Sequence, residues 1–214
     1  AIDTTNIASD ISRSDSNTNK YFETTLYTGS GSEKSVQSST TTNTSAFSWI
    51  KNRGTDDNHM LFDRVRGVTK DWHSNSDAIQ ATNVQTVKAF LGGGVTIGTD
   101  VEVNTSSENY VLWNWMMSAS GGGSSNEDGS INTTATLVDT TLGLSISQYP
   151  GTGSNATIGH GLGAVPKFII IKNLDVAEDP AAYHEALGNT KRIFLNSSNS
   201  PSSSTVFWQN TTPT

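Results

Sequence analysis

The feature that most constrains this chain is a near-repeat of its own sequence about 121 residues apart. Trp49-Ile50-Lys51-Asn52-Arg53 returns as Ile170-Ile171-Lys172-Asn173-Leu174, and Gly67-Val68-Thr69-Lys70 as Gly188-Asn189-Thr190-Lys191. Asn75-Ser76 returns as Asn196-Ser197. Upstream, Tyr27-Thr28-Gly29-Ser30-Gly31-Ser32 matches Tyr149-Pro150-Gly151-Thr152-Gly153-Ser154 at an offset of 122, so a single insertion separates the blocks. Repeated modules present surfaces or build extended objects, whereas a catalytic site needs asymmetric chemistry. The repeat therefore points to a structural or binding protein and to two modules within 214 residues.

Composition narrows the fold class. Hydrophobic residues make up 33% of the chain and charged ones 15%, both low, with Ser, Thr and Asn supplying roughly a third. High polarity without charge fits short β-strands whose outer faces carry Thr and Ser, joined by Gly and Asn turns. The expectation is an all-β chain of tandem β-sandwich-like modules with a thin core that gains from assembly. No cysteine is present, so disulfides, thiolate metal sites and cysteine nucleophiles are excluded. With a net charge of −7 and thirteen scattered basic residues, the chain lacks the clustered cations that nucleic acid requires. No stretch reaches the apolar length of a membrane span, so no membrane insertion is expected.

Along the chain, residues 1–20 read as a polar arm or linker, 21–117 as a first β module, and 118–129 as a Gly/Ser-rich linker. Residues 130–214 read as a second module. The run from Lys167 to Lys172 is continuously apolar between its lysines, which predicts burial on both faces. Residues 110–116 place Val111, Trp113 and Trp115 on one face and Tyr110, Leu112 and Met116 on the other, which predicts a central strand. Residues 95–99 are expected to form a hairpin with it. By the offset of 121, the counterpart of Val95 would fall at position 216, and the Trp113 strand has no counterpart. The second module is thus expected to be completed by further polypeptide or by another chain.

The order of motifs resembles a module of large virion proteins of tailed bacteriophages, marine and cyanobacterial phages above all. The matching residues are 159–166 (GHGLGAVP) followed by 168–173 (FIIIKN), Tyr183-His184, Leu187-Gly188, Phe194-Leu195-Asn196 and the terminal 207–214. In the first copy they continue through 95–99 and 109–113. Coverage runs from about Phe22 to Thr214, and the specificity lies in the order. The first copy departs from the pattern, having Ser/Thr-rich sequence where GHGLGAVP stands in the second. The resemblance implies a non-enzymatic structural protein at the virion surface, hence extracellular: a tail fibre, appendage or head-surface protein acting in assembly and host attachment. Its implied partners are copies of itself, as a trimer in the commonest fibre arrangement, and other virion proteins. It assigns no catalytic residue and no cofactor.

His160 and His184 are 24 residues apart and lack the three or four convergent ligands of a metal site, so turn and packing roles are preferred. Asp56, Asp57, Asp63, Asp71, Glu178, Asp179 and Glu185 supply the two carboxyls of a glycoside hydrolase in principle. Asp63 and Glu185 stand at equivalent repeat positions, which favours structural work and ranks a polysaccharide depolymerase last. Among five tryptophans, Trp49 and Trp113 belong to apolar strands and read as core. Trp72 and Trp208 adjoin polar loops and are the candidate glycan contacts of the alternative reading, a carbohydrate-binding module.

Overall fold

A computed structural model describes residues 21–37 and 41–214. The polar arm expected at 1–20 lies outside the described residues. Among the described residues the fold is all-β, with several antiparallel sheets and two short helical turns.

The first half is a two-layer packing. One layer is a six-stranded sheet in the order β1-β9-β3-β4-β5-β6, built from β1 (Phe22–Thr28), β3 (Thr44–Asn52), β4 (Met60–Asp63), β5 (Lys70–His73), β6 (Ala81–Thr82) and β9 (Asn109–Met117). The other is a three-stranded sheet, β2-β8-β7, of β2 (Lys34–Gln37), β8 (Gly94–Ile97) and β7 (Val87–Leu91). Alternation decides which side chains meet between the layers. Ile50, Met60, Phe62, Tyr110 and Leu112 from the large sheet pack against Val36, Val87, Val95 and Ile97 from the small one.

β9 is the hub of this arrangement. It pairs with β1 from Phe22↔Trp115 to Thr28↔Asn109 and with β3 from Thr44↔Met117 to Asn52↔Tyr110, across a bulge between Ser45 and Phe47. Its central place agrees with the two apolar faces read from its sequence. A buried polar chain on the inner face runs through Asn114. Asn114 accepts from the Ser48 hydroxyl at 2.8 Å and donates to Ser45 Oγ at 2.7 Å, and that hydroxyl donates to the Gly94 carbonyl at 2.6 Å. The chain of contacts ties β3, β9 and β8 together. Tyr27 and Tyr110 stack at 5.1 Å with their hydroxyls on the Val103 and Val101 carbonyls.

The hairpin expected between 95–99 and 110–116 does not form. β8 and β9 belong to different sheets, because the turn between them is a crossing. Asp100 accepts from the Glu102 amide at 2.9 Å and caps the single-turn helix α1 (Val101–Asn104). Val103 and Asn104 of that turn are fully buried, and the Asn104 side chain bonds Ser30, Ser32 and Gly98. An Asn/Ser-rich loop that pins itself in the core cannot serve as an open hairpin tip.

The second half holds a two-stranded sheet of β10 (Ala135–Asp139) and β11 (Leu144–Gln148) and a four-stranded sheet, β12-β13-β14-β15. The latter comprises β12 (Phe168–Ile171), β13 (Ala181–His184), β14 (Lys191–Phe194) and β15 (Ser202–Ser203), with a 3-10 turn at Glu185–Leu187. The Gly/Ser-rich segment 118–129 runs along β10: Ser118 donates twice to the Asp139 carboxylate, and Ser124 bridges Thr136. Leu137, with Leu144 and Ile146 against it, packs on Ala46 and Met117 of the first half. β13 is buried, but β12 is not covered on both faces as its sequence predicted. Phe168 is 51% and Ile171 37% exposed, because β12 pairs with β13 alone and stands at the sheet edge.

Candidate functional site

The outward face of the large sheet carries the aromatic residues that alternate with its core positions. On it Trp115 lies 4.8 Å from Phe22 and 5.3 Å from Phe47, and Trp49 meets Trp113 edge-on at 5.9 Å. The Trp49 indole donates to His59 Nδ1 at 2.9 Å, so that imidazole acts as an acceptor, and burial followed by Lys51 lowers its pKa. All three tryptophans are half-buried on the sheet's outer side, so Trp49 and Trp113 do not lie in the core between layers as their apolar strands predicted.

One end of this face becomes the floor of a cleft of about 1470 Å³. Phe47, Asp63 and Trp72 line it from the large sheet and Arg66 from the turn after β4, while β11 forms one wall and β12 the other. The charged groups on its floor are committed to the fold. Asp63 pairs with Arg66 at 2.5 Å while also accepting the Arg66 amide, and the remaining guanidinium hydrogens reach Leu61 O and Gln80 Oε1. Both side chains are at most 7% exposed, which is the paired, hydrogen-bonded condition a buried charge requires. At the rim, Lys172 donates to the Asp77 and Glu178 carbonyls. Burial lowers its pKa, and the nearby carboxylates of Asp77, Asp179 and Glu178 oppose that shift without cancelling it.

The residues singled out from sequence are dispersed. Trp72, on β5, lines the cleft but is only 7% exposed. Trp208 is 9% exposed, packs edge-on against Tyr183 at 5.5 Å, and donates its indole hydrogen to the Lys191 carbonyl. His160 bonds the Thr214 carbonyl, while His184 caps the 3-10 turn by accepting from the Ala186 amide. Glu185 pairs with Lys167 at 3.1 Å, Asp57 accepts from Asn52, and Asp71 lies 3.3 Å from His73. Among the described residues, no three His, Asp or Glu side chains come together as a metal site, and no helix is long and apolar enough to cross a membrane. The cleft itself went unread from the sequence. Its signal was the strongly apolar run 168–171, which has more surface to bury than an edge position gives it.

The fold and cleft define an all-β protein of antiparallel sheets. The chain belongs to the family described as a domain of unknown function, DUF7483, which matches residues 17–214. No curated protein and no solved structure matches it.

Proposed function

We propose that the chain is a non-enzymatic structural module of a tailed-phage virion surface, a tail-fibre or appendage component that acts by assembly and in host attachment. The observation that carries the modular part of this reading is a shared pairing register. In the first meander the pairs are Phe47↔Asp63, Ile50↔Met60, Leu61↔Trp72 and Lys70↔Thr82. In the second they are Phe168↔His184, Ile171↔Ala181, Ala182↔Ile193 and Lys191↔Ser203. Adding 121 to each number of the first set gives the second. The turn bonds follow suit, Gly67 N to Asp63 O matching Gly188 N to His184 O, and Asn83 N to Thr69 O matching Ser204 N to Thr190 O. Such agreement supports a tandem duplication of one sheet motif. The motif order described above supports the phage assignment.

Size-exclusion chromatography with light scattering tests the assembly claim. Oligomers, trimers foremost, are expected at micromolar concentration, and a stable monomer there overturns it. A second reading, a carbohydrate-binding module, is favoured by the cleft lining, where the aromatic Trp72 and Phe47 are joined by the polar Gln80, Asp77 and Lys172. A glycan array with Trp72→Ala and Trp208→Ala as controls tests it; absence of binding to host surface sugars removes it.

A further inference from the structure

We propose that the cleft between β11 and β12 is a vacant strand position, built to receive an extended strand of the β9 pattern from a partner polypeptide. The inference rests on the duplication reading above. If β12–β15 correspond to β3–β6, then β11 corresponds to β1: at the offset of 122 residues 22–28 of β1 fall on 144–150, and Gly29-Ser30-Gly31-Ser32 follows β1 as Gly151-Thr152-Gly153-Ser154 follows β11. The first sheet runs β1-β9-β3-β4-β5-β6. The second supplies β11, then the cleft, then β12-β13-β14-β15. What differs is the position β9 holds.

Backbone directions on both walls agree. Successive residues of a strand turn their N–H and C=O groups to opposite edges. In β3 the Arg64 amide bonds Ala46 O, so Ala46, Ser48 and Ile50 face β4, and Phe47 and Trp49 face β9. In the second meander the Glu185 amide bonds Lys167 O, so Lys167, Ile169 and Ile171 face β13. Phe168 and Ile170, the counterparts of Phe47 and Trp49, therefore point their backbone groups at the cleft. On the other wall, Met116 N bonds Tyr21 O, so odd-numbered residues of β1 face β9 and Leu26 faces away. Gln148, which corresponds to Leu26 at the offset of 122, turns its carbonyl to Thr134 beside β10. Hence β10 occupies the outer edge of β11 and leaves free the edge that β1 gives to β9.

The occupant is defined by these walls. It is a strand antiparallel to both, with free backbone groups on both edges and apolar side chains on both faces, since Phe168 and Ile171 point to opposite faces of the sheet. In the described residues the segment with that pattern, Asn109–Met117, is already held between β1 and β3. Main-chain pairing would supply the affinity and the alternating side chains the selectivity, as in other strand-addition sites. An unpaired apolar edge also pairs indiscriminately, so a dedicated occupant removes an aggregation hazard.

The test uses the 214-residue chain and a synthetic peptide of the β9 sequence, residues 109–117, extended by lysines at both ends for solubility. Isothermal titration should give saturable one-to-one binding, and hydrogen exchange should slow at Phe168, Ile170 and the free edge of β11 but not in β1. A peptide N-methylated at the positions of Val111, Trp113 and Trp115, whose amides face β3 in the first sheet, should bind roughly tenfold more weakly or worse. In the chain, Ile170→Pro removes a cleft-facing donor at an edge position that tolerates proline, and should also abolish binding. The N-methylated peptide leaves the protein unaltered, so that arm stands even if the variant fails to fold. Absence of binding by the plain peptide, equal binding by the methylated one, or closure of the edge by two copies pairing β12 to β12 would each overturn the proposal. A chain that oligomerises yet ignores the peptide sinks the vacant strand and spares the assembly reading, whereas a monomer that binds the peptide does the reverse.

Discussion

The two meanders, β3–β6 and β12–β15, use the same registers but live in different surroundings. The first is flanked by β9 and β1 and backed by a second sheet, so every residue of β4 is buried. The second has neither cover: β13, the counterpart of β4, still buries Ala181, Ala182 and Tyr183, but every residue of β14 is half-exposed where its counterpart β5 buries Asp71 and Trp72. Local pairing is therefore indifferent to how much of the sheet is present. Burial, and with it the stability of each strand, is set by the layers around the pair.

That contrast can be broken or sharpened by measurement. Leu112→Ala, at a fully buried site between the layers, should cost about 3–4 kcal/mol in denaturant unfolding. Ile169→Ala, half-exposed in β12, should cost less than about 1.5 kcal/mol, and equal losses would erase the distinction. Arg66→Met leaves the buried Asp63 carboxylate without its cation and should cost about 3 kcal/mol. The corresponding residue of the second meander, Leu187, has no such charge to neutralise. Asn114→Ala strands the Ser48 hydroxyl and removes the bond that Ser45 Oγ accepts, and should cost about 2 kcal/mol. Hydrogen exchange should alternate in β12, fast at Phe168 and Ile170 and slower at Ile169 and Ile171, while β3 is slow throughout.

The smallest effect concerns acid. Burial raises the Asp139 pKa, but bonds to the ionised carboxyl from Leu142, Ser118 and Thr141 outweigh it and leave the value below the ordinary 3.8. Its stabilising contribution is therefore complete above about pH 3.8 and is lost as pH falls through the depressed folded value. Asp139→Asn should cost on the order of 1 kcal/mol at neutral pH, and the gap to the unmutated chain should close on acidification.

Much of the first half was legible because alternation in residues 110–116 encodes a two-sided burial that the structure fulfils. The same logic misread 168–171. A strand's sequence records the surface it is shaped to bury, and Phe168 and Ile171 carry the composition of a covered strand in an uncovered place. The hairpin was misread for another reason: polar residues such as Asp100 and Asn104 look like solvent-facing turn residues, yet their side chains cap and pin a buried crossing. Trp49 and Trp113 were misassigned between two faces that are both apolar, which composition alone cannot separate. The cleft was beyond reach, since it arises from the relation between β11 and β12 and from no motif of its own.

The central position of β9 also governs the order in which this protein can be made. Phe22 in β1 meets Trp115 in β9, partners separated by most of the first module, and such distant pairings are slow to form. Until residue 117 has left the ribosome, β1 and β3 have nothing between them, and the nascent chain shows an open edge at β3. The growing first half thus shows at β3 the kind of unpaired edge that β12 has among the described residues, and synthesis of one strand closes it.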